Sequence, residues 1–176
     1  FNIPCIFSDY KPTLGNKIIG TFYTCDVKNF MSLDCGSTLN RINGQHSFFK
    51  RDNDVTGVTI SSTILIDFPS KIFKEFSALK YLKIVESNFG KVERICSEKL
   101  EYLTATRVYF GGDSIVIKNC GNLIQLAVEH SNLKEISVDD NLKYLTDISL
   151  KNNEIEKIPE NFFASMENLR NVQFSK

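Results

Sequence analysis

The feature that most constrains this chain is a spacing that keeps returning. Apolar residues fall at Leu145, Ile148, Leu150, Ile155 and Ile158, with Asn153 among them and Pro159 closing the unit. Ile148 and Leu150, two apart, point to one side of a short strand, while the residues between and beside them point to the other. The same spacing starts at Val55, Leu79, Leu100, Leu123 and Leu169, so that successive starts lie 24, 21, 23, 22 and 24 residues apart. One such unit cannot bury its own apolar side. The chain therefore has to stack successive coils around a shared core.

With isoleucine or valine at some leucine places, this spacing resembles the leucine-rich repeat, L-x-x-L-x-L-x-x-N-x-L. The resemblance implies an α/β repeat fold, a leucine-rich-repeat solenoid. Its curved parallel sheet would line the concave side, with irregular, 3₁₀, short-helix and short-strand segments on the convex side. Residues 1–54 read as a lead-in and cysteine-containing N-terminal cap, and residues 55–176 as the repeats. Bulky residues near Ser70–Phe76 and Asn161–Met166 mark return segments where a 3₁₀ or short α-helix is expected. The asparagine place holds Thr63, Ser87, Val108, Ser131 and Asn153. That side chain has to satisfy backbone amides as the chain leaves the strand, which valine cannot do. The third coil is therefore predicted to be irregular, with Gly111-Gly112 followed by a β-branched strand at 114–118.

Charge removes two function classes. With 21 basic and 21 acidic side chains and no basic stripe, the composition does not fit nucleic-acid binding. No apolar run is long enough for a membrane span. The chain opens on Phe1, which is not a translation start, so removal of a signal peptide is expected.

Five cysteines are present, none in a C-x-x-C pair. Cys96 and Cys120 lie just before Leu100 and Leu123, at nearly equivalent places on adjacent coils. Neighbouring strands about 4.8 Å apart leave Cα atoms within the roughly 4.4–6.8 Å a disulfide requires. For the cap, Cys25–Cys35 is the first pairing to consider, with Cys5–Cys25 and Cys5–Cys35 open. Left odd, Cys5 would be available for an intermolecular bond.

Tyr23-Thr24-Cys25-Asp26-Val27, then Gly44-Gln45-His46, then Asp54-Val55 and Val58 leading into the repeats resemble the secreted leucine-rich-repeat proteins of dipteran insects. The plan is similar to that of the mosquito leucine-rich immune proteins. This resemblance implies a secreted, non-enzymatic recognition protein, with a place in innate immunity.

Between the buried strand positions, concave-facing side chains are the natural binding residues. At the centre they are Tyr81, Lys83, Tyr102, Thr104 and Glu129, with Glu86, Arg107 and His130 just past the strands. Tyrosine and arginine are the types that most often anchor protein interfaces; alternatively, the tyrosines form a cross-strand aromatic pair. The expected partner is a protein, or else a microbial glycan. Only two histidines occur, far apart, and no phosphate loop, nucleophile elbow or zinc motif is present, so neither enzyme chemistry nor a metal or other cofactor is expected. The alternative is a self-associating scaffold, a homodimer formed through Cys5 or through the apolar C-terminal edge at Leu169, Val172 and Phe174.

Overall fold

A computed structural model describes residues 2–14, 16–32, 41–139 and 141–175. The repeat spacing is realised as a parallel, mostly-β solenoid. Its eight-stranded sheet, on the side the repeat template expects to be concave, orders the strands Asn171–Gln173, Asp147–Ser149, Gln125–Glu129, Tyr102–Thr106, Tyr81–Val85, Gly57–Ser61, Phe22–Lys28 and Ile6–Tyr10. All neighbours are parallel except the last pair, where Ile6–Tyr10 runs antiparallel to Phe22–Lys28. Equivalent template positions pair across coils, so Leu82 stands beside Val58 on one side and Leu103 on the other. This register sends Val58, Leu82, Leu103 and Leu126 inward together, each fully buried. Leu65, Phe89, Phe110 and Leu133 close the core from the convex side.

The opposite side, expected to be convex, is built from short strands. Met31–Ser32, Ile64–Asp67 and Asn88–Lys91 form one parallel sheet, and Ser114–Lys118 pairs with Glu135–Asp139 in another. The break between the two sheets falls on the third coil, where Val108 interrupts the polar column. Thr63 N–H donates to Ser87 Oγ at 3.2 Å, Val108 N–H to Ser131 Oγ at 3.1 Å, and Ser131 N–H to Asn153 Oδ1 at 2.9 Å. Val108 accepts nothing in return. Its coil then bulges through Gly111, at φ +83°, before the strand at Ser114 begins.

Helix is almost absent among the described residues. The one α-helix is Ile72–Glu75, and Asp52–Asp54 form a 3₁₀ turn. The segment at 161–166 runs through successive turns instead of the expected helix, including Ala164 N–H to Asn161 O and Met166 N–H to Phe163 O. Return segments this short cannot offset the cost of nucleating a longer helix.

Among the described residues, two disulfides cross-link the chain. Cys96 and Cys120 join adjacent coils with Cα atoms 5.6 Å apart. Cys25 bonds Cys5, with Cα atoms 5.1 Å apart, and not the expected Cys35. Cys35 itself lies outside the described residues. The Cys5–Cys25 bond ties the lead-in to the sheet and removes Cys5 as the thiol for a covalent dimer. The physical reason is the antiparallel strand Ile6–Tyr10, which sets Phe7 opposite Cys25 and so brings the neighbouring Cys5 within reach.

Candidate functional site

The concave face presents outward side chains in columns, one residue per coil. Its first central column runs through Gly57, Tyr81, Tyr102 and Gln125. Gly57 lacks a side chain where Phe22 and Tyr81 close over it; an added Cβ would come within 2.7 Å of Thr24 Cγ2. Tyr81 packs against Phe22 and Tyr10 with ring centroids 5.2 and 5.8 Å away, and is only 3% exposed. Burial pushes its phenol far above the ordinary tyrosine value, and the adjacent Tyr10 adds to the shift. Tyr81 therefore belongs to an aromatic lid over this end of the sheet and is not open to a partner. Tyr102, half-buried, meets Phe22 edge-on at 6.1 Å, and burial followed by the Glu101 carboxylate raises its phenol.

The middle of the face is paired within the chain. Lys83 Nζ donates to Tyr10 Oη at 3.4 Å and lies 5.7 Å from the centre of that ring. Thr59 donates to Asp26, which also takes Lys28 at 3.5 Å, and Ser149 donates to Glu129. Thr104 is half-buried between Lys83 and Ala127.

Where each concave strand ends, one residue adopts the left-handed conformation. The row is Asn29, Ser62, Glu86, Arg107, His130 and Asn152, with φ between +49° and +55°. Each donates its N–H to a carbonyl on the next coil, for example Glu86 to Thr106 O and Arg107 to Glu129 O, both at 3.0 Å. The turn thus pays its backbone strain back through an inter-coil hydrogen bond, and it lifts the side chain onto an exposed rim. Along that rim Arg107 Nη2 stands 3.0 Å from Glu86 Oε1, and the Asn152 side-chain amide 3.1 Å from His130 Nε2. Of the residues singled out in the sequence, the rim unites Glu86, Arg107 and His130. Glu129 instead engages Ser149, and Tyr81 is withdrawn into the lid.

A second surface was not anticipated. At the opposite ends of the same strands a groove of about 790 Å³ runs along the flank of the solenoid. It is lined by the residue just before each strand, including Lys80, Glu101, Ile124, Thr146 and Arg170, and by Ala78, Lys99, Asn122, Tyr144 and Asn168 from the preceding turns. Lys80 pairs with Glu101 at 2.8 Å, and Lys99 Nζ donates to Ser77 O at 2.7 Å. The backbone here is already satisfied: Thr56, Lys80, Glu101, Ile124 and Thr146 each offer a carbonyl that accepts two N–H groups from the next coil. The template did contain this column, one residue after each repeat start, but only stacking turns it into a groove.

His46 lies in the cap, stacked on Phe7 at 3.9 Å, with Nε2 2.9 Å from Asp52 Oδ1 and Nδ1 3.3 Å from Tyr23 Oη. Ser47 N–H also donates to Tyr23 Oη, at 2.8 Å, so this cluster fixes the loop after Gly44 to the first parallel strand. Among the described residues no group of three or more His, Cys, Asp or Glu side chains converges on a common point, and no helix is long and apolar enough to cross a membrane.

These features define a disulfide-clamped parallel β-solenoid with an exposed polar rim and a lateral groove. No family model matches the sequence, and no curated protein matches it either.

Proposed function

We propose that this chain is an extracellular leucine-rich-repeat recognition module of the insect type, without enzymatic activity, that holds a protein partner against the concave rim. The carrying observation is the left-handed row. Glycine meets a positive φ without steric cost, whereas a residue with a Cβ is held there at about 1–2 kcal/mol. Yet Glu86, Arg107 and His130 occupy consecutive rim positions, and no glycine stands anywhere in the row. Strain kept at an exposed site in exchange for a charged side chain favours a contact role. Half-buried Tyr102 lies on the same face, at the far end of the strand that leads to Arg107, and supplies the aromatic component common in interface anchors. Two disulfides favour an oxidising, extracellular setting, and an immune role fits the resemblance of the cap to the mosquito proteins.

Panning a yeast-displayed library of secreted proteins with the oxidised chain tests this reading. Captured proteins should bind the Tyr102→Ala and Arg107→Ala variants at least tenfold more weakly; undiminished binding would sink the rim as the site. A scaffold is the second reading, favoured by Val172 and Phe174, 45% and 41% exposed on and beside the outermost strand. Light scattering decides it, because a scaffold gives a mass above one chain that falls in a Val172→Ser, Phe174→Ser variant.

A further inference from the structure

We infer that the lateral groove is a second binding site, separate from the rim, for an extended peptide that alternates acidic and apolar side chains.

Four features specify that occupant. The groove follows the solenoid from Thr56 to Arg170, crossing six coils. Five spacings of about 4.8 Å give a length of about 24 Å, which matches about seven residues of extended chain. Its lining is mostly apolar, with Ala78, Ile124 and Tyr144 spread along it, and Tyr144 remains 48% exposed. Its charge is one-sided. Lys80, Lys99 and Arg170 face a single carboxylate, Glu101, although the chain as a whole carries equal numbers of positive and negative side chains. Glu101 is already engaged by Lys80, so the residual field of the groove is positive.

The saturated backbone excludes a different mode. Because the carbonyls beside the groove each accept two inter-coil hydrogen bonds, a peptide cannot join here as an added strand. Recognition has to come from side chains. Carboxylates would approach Lys99 and Arg170, while apolar residues between them cover Ile124 and the Tyr144 ring. A sulfated glycan would satisfy the cations but leave the apolar surface uncovered, which is why the peptide is the occupant argued for.

The test is selection from a phage-displayed random heptapeptide library on the oxidised chain, followed by anisotropy titration of the enriched peptides. Expected are sequences alternating Asp or Glu with large apolar residues, whose affinity falls roughly tenfold or more in the Lys99→Glu, Arg170→Glu variant. The milder Lys99→Gln, Arg170→Gln variant, which removes both charges without reversing them and keeps a polar side chain at each position, should show a smaller loss in the same direction and guards against a folding defect. Selection without acidic bias overturns the inference, as does equal binding by the parent and both variants. So does loss of peptide binding in Arg107→Ala, which would assign the peptides to the rim, or binding confined to heparin oligosaccharides.

Discussion

Replacing Asn153 by alanine attacks the polar column at its best-connected point. The buried amide accepts from Ser131 N–H at 2.9 Å and Leu133 N–H at 3.3 Å, and donates to Val128 O at 2.7 Å and Leu150 O at 3.1 Å. Alanine strands two backbone N–H groups and loses a donor to Val128 in the interior. At about 1–3 kcal/mol for each stranded group, the expected loss is about 4 kcal/mol. A domain of this size has a total stability of about 5–15 kcal/mol, so the variant still folds but sits close to its limit. In urea, with disulfides intact, a slope of about 2 kcal/mol per molar turns that loss into a midpoint about 2 M lower. Ser131→Ala strands only Val108 N–H and should cost about 1–2 kcal/mol. A loss below about 1 kcal/mol for Asn153→Ala would refute the reasoning, because water or a local shift would then be replacing the amide.

Further outcomes can be checked on the same material. Gly111→Ala should destabilise by about 2–3 kcal/mol, since φ +83° disfavours a Cβ that would also collide with the Gly90 carbonyl; an unchanged urea midpoint would contradict the close approach. Removing the coil-to-coil bridge by Cys96→Ala, Cys120→Ala should cost about 3 kcal/mol for a loop of 24 residues, read in the same titration. Tyr81 holds its proton in the folded state above its ordinary value of 10.0, chiefly through burial. The unfolded chain alone ionises this phenol above pH 10, so its contribution to stability is fully present below that pH and lost as pH rises through the folded value. Tyrosinate absorbance should therefore show Tyr81 titrating only with alkaline unfolding, and a single step near pH 10 for all six phenols would be inconsistent with its burial.

Much of the fold could be read from the chain because a strand has a period of two and the coil repeats it. Once Leu145 is placed, Leu82, Leu103 and Leu126 follow as core, and Tyr102, Glu129 and Arg107 fall on or beside the concave face. Val108 likewise marked the third coil as irregular, and the short-strand sheet divides there. Residues 6–10 carry no comparable signal, because their pairing with Phe22–Lys28 depends on a partner 20 residues away at Cys25 and not on local pattern. The burial of Tyr81 was hidden for the same reason: Phe22 and Tyr10 come from that cap and pack on the Tyr81 ring. Alternation assigned Tyr81 its face correctly but could not reveal what else packs there. The lateral groove is a property of stacking, since Lys80, Ile124 and Tyr144 lie in different coils and only inter-coil hydrogen bonds align them.

Recognition at the rim is tested most directly by the double variant Glu86→Gly, Arg107→Gly, measured for unfolding midpoint and for affinity toward a protein captured by the parent chain. Releasing two left-handed side chains returns about 1–2 kcal/mol each, offset by the lost exposed ion pair at about 0.2–1 kcal/mol and by glycine's greater freedom when unfolded. The predicted result is a stability equal to or above that of the parent, with affinity at least tenfold lower. A clear loss of stability with affinity unchanged would contradict it, and would make the rim a structural turn whose side chains recognise nothing.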